Sequence, residues 1–241
     1  MTFPTPAPVP PIRSRIFTAK RKRRGFGETG DAPSASPGFS FDPLLHAYMV
    51  GSVQVPSVTQ VLEDVGLKSK YENVPAWVLE RKRQIGEATH LATEYLDAGE
   101  LDWDSLDVQI VPYVIAYERF LDKTAFQVQL AEYRTVAEFG GLRFGMTLDR
   151  EGFWRNPPEG WEPEMPTILD IKTASNQEPW WQIQTAGYAI GRSNGVIHHQ
   201  RGVLWLKKNG AYELQRHTDK NDVDVFMSAL RLCHWKRKYL R

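Results

Sequence analysis

The hydrophobic period changes near residue 126, and that change bounds what the chain can fold into. Before it, apolar residues recur at helical spacing. Ile85, Ala88, Ala92 and Leu96 predict a helix over 75–96, and Ile110, Val114, Tyr117 and Leu121 predict a third helix over 106–121. After it, Phe126, Val128 and Leu130 alternate with polar residues, 133–137 stays extended, and Gly140-Gly141 turns the chain into a strand over 142–150. A Pro-rich loop over 156–166 precedes a short β-branched strand at 167–173 and a helix at 179–192. Asn209-Gly210, the strongest turn signal in the chain, predicts a hairpin of strands 202–207 and 211–216, and a last helix covers 221–239. Order is expected to begin near Phe39, with a small hairpin at Gly51-Ser52 and a short helix capped by Ser57. The expected class is α/β (mixed α+β), with a central mixed sheet flanked by helices.

The 241 residues carry 30 Lys+Arg against 29 Asp+Glu, a balance that hides a split. Residues 1–38 are Pro-rich and hold seven basic residues, Lys20 to Arg24 in one run, against Glu28 and Asp31. Such a segment buries too little apolar surface to offset its ordering entropy, so 1–38 reads as a disordered basic tail and 39–241 as the folded domain. The remaining body is mildly acidic, which calls for a cation among clustered carboxylates and an anionic partner for the tail. Cys233, the only cysteine, excludes a disulfide framework and thiolate-held zinc or iron–sulfur sites, so any metal must sit on oxygen or imidazole. No apolar stretch approaches membrane-spanning length, and a cytoplasmic protein is expected.

The residues that carry chemistry lie between 80 and 190. Asp170 and Lys172, two apart on a strand, project from one face while Ile171 enters the opposite layer. Asp149 is expected to end the preceding strand, where Gly145 leaves room for backbone or ligand. Carboxylates converging from two strands repel each other unless a divalent cation lies between them, and oxygen ligands favour Mg²⁺ or Mn²⁺. Lys172 beside such a metal can orient or deprotonate water and neutralise charge on a phosphate. Read singly, Asp170 and Lys172 are an ordinary strand ion pair and Asp149 a turn cap; their joint occurrence in order favours the metal reading.

Gly86 and His90 share a helical face away from the apolar stripe, and His90 is expected as a third ligand. Gln184 and Tyr188, four apart on the helix after Lys172, place an amide and a phenol where they can hold a DNA phosphate or the lysine. Glu132 and Glu138 are further acids. An acid on an alternating strand usually faces solvent, the alternative for Glu132 being an outer ligand or a second-metal ligand. Trp180 and Trp181 read as core or strand-end packing in preference to a base-stacking platform, the alternative being that one of them is both.

Gly86-x-x-x-His90, Gly145-x-x-Asp149, Asp170-x-Lys172 and Gln184-x-x-x-Tyr188 resemble, in order, the motifs of RecB-type nucleases of the PD-(D/E)xK superfamily, which includes lambda-type exonucleases and CRISPR-associated RecB-like nucleases. The resemblance implies a restriction-endonuclease-like core. It also implies a metal held by His90, Asp149, Asp170 and the Ile171 carbonyl, a catalytic Lys172, and a site completed by Gln184 and Tyr188. Segments 41–48 and 55–62 look like the amino-terminal region of phage-encoded exonucleases of this group, pointing to a phage or prophage source. The chain departs from relatives with an iron–sulfur cluster in lacking their four cysteines, and has Asp170 where many carry Glu.

The function so implied is a Mg²⁺- or Mn²⁺-dependent DNA exonuclease of phage recombination or replication. The alternatives are a non-catalytic DNA-binding or inhibitory protein that keeps the nuclease fold, and an endonuclease with the same Asp-x-Lys core. DNA is the expected partner, contacted by the tail and by the basic end of the last helix. A single-strand annealing protein and homo-oligomers are further expectations.

Overall fold

The computed structural model describes residues 38–240 except 44, 70, 72, 73 and 194–196. The expected tail therefore lies outside the described residues, apart from Gly38. A five-stranded mixed sheet runs in the order β4 (Phe126–Phe139), β5 (Leu142–Trp154), β6 (Thr167–Lys172), β7 (Gln200–Leu206) and β8 (Tyr212–Arg216). Only β6 and β7 are parallel, joined across by helix α4 (Trp180–Arg192). This is the expected mixed α/β class. A smaller antiparallel sheet of β1 (Phe39–Asp42), β2 (Ala47–Val50) and β3 (Val53–Val55) precedes it. Ser57 caps the short α1 (Val58–Asp64) through a reciprocal pair with Gln60.

Helices cover both faces of the main sheet. On one, α1, α4 and α5 (Asn221–Tyr239) pack Val61, Leu62, Phe226 and Leu230 against Phe144, Leu148 and Ile168. On the other, α3 (Val111–Thr124) packs Tyr113, Tyr117 and Phe120 against Phe126, Trp154, Leu169 and Ile171. The long α2 (Ala76–Asp97) lies over α3 through Ala88, Ala92, Ile110 and Val114. β6 is buried from Thr167 to Ile171, its apolar residues Ile168, Leu169 and Ile171 interrupted by Asp170.

Two boundaries and one packing expectation change. The third helix begins at Val111, not 106; Pro112 lies in its first turn, where a missing N–H costs nothing, and 103–105 form a separate 3₁₀ turn. β5 does not end at Asp149 but continues to Trp154, because its second half still pairs with both neighbours. The room at Gly145 is taken by the Tyr48 ring; a Cβ there would lie 2.2 Å from that ring. Its N–H bonds the Pro56 carbonyl, docking the small sheet on β5.

Arg201 of β7 fastens α4 and α5 to the sheet. Its guanidinium donates to Asp222 at 2.6 Å and to the Gln182 and Asp219 carbonyls at 2.8 and 2.7 Å, and both charged side chains are buried. Asp222→Ala leaves Arg201 as an uncompensated buried charge, and urea denaturation should show a loss of about 3–5 kcal/mol. Beside it His217 meets the Thr185 hydroxyl at 2.9 Å, and burial together with the Arg201 charge lowers its pKa from 6.5 to about 4. Above pH 6.5 the ring is neutral in both folded and unfolded chains; as pH falls from 6.5 to 4 only the unfolded chain gains the proton. The stability advantage of wild type over His217→Gln should therefore shrink by on the order of 2 kcal/mol between pH 7 and pH 4, measured by denaturation at each pH.

Candidate metal centre

The centre forms where β5 and β6 part. Their ladder pairs Arg150 with Leu169 and goes no further toward Asp149 and Asp170. Instead the Asp149 carboxylate accepts the Ile171 N–H at 2.6 Å, a side chain replacing a main-chain partner. Side-chain alternation also breaks here. Leu148 packs under α4 and α5, whereas Arg150, two residues on, enters the layer of α2 and α3. Across β4 the ladder skips the pair Glu132–Asp149, and Glu132 takes a left-handed φ of +48° after a bulge between Val128 and Leu130. These irregularities turn both carboxylates toward the same space.

His90 reaches that space from α2. Its Nδ1 lies 3.2 Å from Glu132 Oε1 and 3.6 Å from Asp149 Oδ1, and its Nε2 lies 3.2 Å from the Ile171 carbonyl. One ligand atom each from His90, Glu132 and Asp149 falls within 4.8 Å of the others. Carboxylate and imidazole donors at this spacing suit a divalent cation. Glu132, expected to face solvent, is thus a member of the cluster. Asp170 stands outside this group of three, beside Lys172.

The charges explain why the cluster is uncomfortable by itself. Burial works against an imidazolium at His90, yet Asp149 and Glu132 raise its pKa to about 9. Burial raises Asp149 to about 7, with repulsion from Asp170 and Glu132 set against relief from His90. Burial also opposes ionisation of Glu132, but the His90 hydrogen bond and charge hold its carboxyl below the usual range. The positive charge that the two carboxylates favour on His90 stands where a cation would otherwise offset them. Asp170, buried, is satisfied by the Lys172 ammonium, which lies 2.6 Å from its Oδ2.

Lys172 is positioned from the other side by α4. Its Nζ donates to Gln184 Oε1 at 2.9 Å, and Gln184 Nε2 donates to the Tyr188 hydroxyl at 2.7 Å and toward Thr59 at 3.4 Å. Burial, with Asp170 and Asp149 nearby, pushes the Tyr188 phenol far above its ordinary value, so it remains neutral. His90, Asp149, Asp170, Ile171, Lys172, Gln184 and Tyr188 are therefore gathered in one place from four elements.

Arg150 was not anticipated. Fully buried, it donates to Asp97 at 2.6 Å, Thr93 at 3.0 Å, the Tyr117 hydroxyl at 3.2 Å and the Asp149 carbonyl at 2.6 Å, and lies 3.7 Å from Glu132. It clamps the main chain of Asp149 and supplies a fixed positive charge behind the carboxylates. Standing between Asp149 and Glu151, it looks in the sequence like one member of an exposed charged run, and no apolar neighbour marks it as buried. Trp181 packs in the interior as expected, whereas Trp180 is half-buried and lines a cleft. Of the basic end of α5, Arg237 pairs with Asp64 at 2.6 Å and Lys236 bonds the Asp64 carbonyl, so both fasten α5 to α1. Among the described residues no helix is long and apolar enough to cross a membrane.

No protein-family model and no curated protein sequence matches the chain. Among solved structures, a proposed exonuclease from Eubacterium rectale aligns at 14% identity and a TM-score of 0.42, covering 76% of this chain and 79% of that one. The protein SSO0001 aligns at 11% identity and 0.33, covering 76% of this chain and 89% of that one.

Adding a divalent cation to the protein stripped with EDTA should raise its melting temperature. Asp149→Asn should lose that rise yet melt no lower than wild type in EDTA, because the amide still accepts the Ile171 N–H while the repulsion is gone. Differential scanning calorimetry with and without metal checks both.

Proposed function

We propose that the chain is a Mg²⁺- or Mn²⁺-dependent DNA exonuclease. The observation that carries this reading is the convergence, at the parting of β5 and β6, of the His90, Glu132 and Asp149 ligand set with the Asp170–Lys172 pair. Hydrolysing a phosphodiester requires charge neutralisation on the phosphate and a deprotonated water. The cluster answers the second need and Lys172 the first.

His90, Glu132 and Asp149 would hold the cation, with Asp170 and the Ile171 carbonyl at its border. A cation bound there supplies polarisation of the phosphodiester and acidifies water. Lys172, kept in place by Gln184 and braced by Asp170, meets charge growing on the non-bridging phosphate oxygens. Tyr188 holds the Gln184 amide so that its oxygen, not its nitrogen, faces the lysine. Arg150 restrains the Asp149 main chain and so the carboxylate above it. The motif resemblance supports the same assignment and adds a role in phage recombination or replication.

The test is cleavage of end-labelled linear duplex, linear single strand and closed circular DNA with Mg²⁺, Mn²⁺ or EDTA. Metal-dependent loss of linear DNA with the circle spared is expected, and Lys172→Ala should lower the rate at least about 100-fold while keeping the wild-type circular dichroism spectrum, its melting temperature reduced by the loss of the Asp170 ion pair. Cleavage of the circle makes the protein an endonuclease. An undiminished Lys172→Ala rate removes the assignment.

A further inference from the structure

A cleft of about 740 Å³ opens directly from the centre, with His90, Ile171 and Lys172 at its inner end. One wall is the start of α2 and the other is the segment after β6 together with the β7–β8 turn. Its described lining residues include Lys68, Lys82, Arg83, Lys172 and Lys208 with Glu80 and Glu178; Lys68 pairs with Glu63, Arg83 with Glu80 and Glu87, and Lys172 with Asp170, which leaves Lys82 and Lys208 as the cations with no ion pair among the described residues. Exposed Lys82 and Lys208 stand at the two walls, and Lys82 donates to the Ser175 hydroxyl at 3.3 Å. Between the cations the floor is aromatic and aliphatic, with Trp180, Tyr71 and Leu79.

Trp180 is the feature that identifies the occupant. The ammonium groups of Lys68 and Lys172 each lie 5.3 Å from the centre of its ring, and its buried indole N–H has no acceptor among the described residues. Carboxylates hold both lysines beside the ring, Lys68 through Glu63 and Lys172 through Asp170, each at 2.6 Å, so a strand entering the cleft brings its phosphates to ammonium groups already in place and its bases to the exposed part of the indole. A duplex offers phosphates outside and stacked bases inside, and gives an aromatic floor nothing to bind. An unpaired strand offers phosphates and base faces together.

We propose that this cleft binds single-stranded DNA, with Trp180 stacking a base beside the scissile phosphate and Lys82 and Lys208 contacting the backbone on either wall. The inference rests on the nuclease reading for what happens at the inner end, but not for binding. The substrate presented to Lys172 is then an unpaired or frayed strand, not an intact duplex.

The test is anisotropy of a labelled 12-nucleotide strand and of its blunt duplex with the full chain in EDTA, followed by cleavage of both in Mg²⁺ and Mn²⁺. The single strand should bind at least about tenfold tighter than the duplex. Trp180→Ala should cost about tenfold on the single strand, with Trp180→Phe restoring most of it. Lys82→Ala with Lys208→Ala should lower the magnitude of the log–log salt slope of single-strand binding by about 1.4, two phosphate contacts at about 0.7 each. Should Trp180→Ala fail to fold, the wild-type preference and the salt slope of the lysine variant decide alone. Equal or tighter duplex binding, or a well-folded Trp180→Ala with undiminished single-strand affinity, overturns the proposal. Preferential single-strand binding without cleavage in either metal keeps the cleft assignment and removes the nuclease reading; efficient cleavage with duplex preference does the reverse.

Discussion

The ladder between β5 and β6 stops at Arg150 and Leu169, and the next bond across the gap belongs to a side chain, Asp149 to the Ile171 N–H. Everything at the centre depends on that substitution. Had main-chain pairing continued, the gap would be closed and Asp149 would be one more alternating residue. Because it ends, the Ile171 carbonyl is free to face His90, and Asp170 and Lys172 rim an opening rather than a closed sheet. The irregularity in β4 at Glu132 lies opposite the same residue, so both strands change phase at one point.

Placing Glu132, Asp149 and Asp170 together is costly unless positive charge accompanies them. The protein supplies it in graded form. Arg150 is permanent and locked by Asp97 and Tyr117, Lys172 is directed by Gln184, and His90 carries a proton that a cation can displace. The rest of the fold stabilises this arrangement from outside. Arg201 and Asp222 bind α4 and α5 to the sheet, and α4 in turn carries Gln184 and Tyr188. The cleft beyond the lysine continues the same logic, with cations on its walls and Trp180 on its floor.

Much of the fold was legible because it rests on local chemistry. Ser57 with Gln60 forms a capping box, Asn209-Gly210 turns a hairpin, and the final helix spans the predicted 221–239. The third helix was placed too early because Ile110 fits the apolar stripe, although Pro112 marks the first turn. At the candidate site, Asp170 and Lys172 could be placed on one face by strand period alone, and Gln184 and Tyr188 by helix period. Glu132 could not, since its direction depends on a bulge and a left-handed φ that no alternation pattern contains. Arg150 was hidden for the same reason: two residues from Leu148, it points to the opposite layer.

The sequence by itself determined the kinds of elements, their order, and which polar residues share a strand or helix face, because these follow from periods of two and 3.6 and from capping and turn chemistry. Only the tertiary structure decided that Glu132 joins His90 and Asp149, that Arg150 stands behind them, and that Trp180 opens onto a cleft while Trp181 is buried. Those outcomes depend on where two strands stop pairing and on which residues, distant in the chain, then fill the gap. Contacts of that kind carry no local periodic signal.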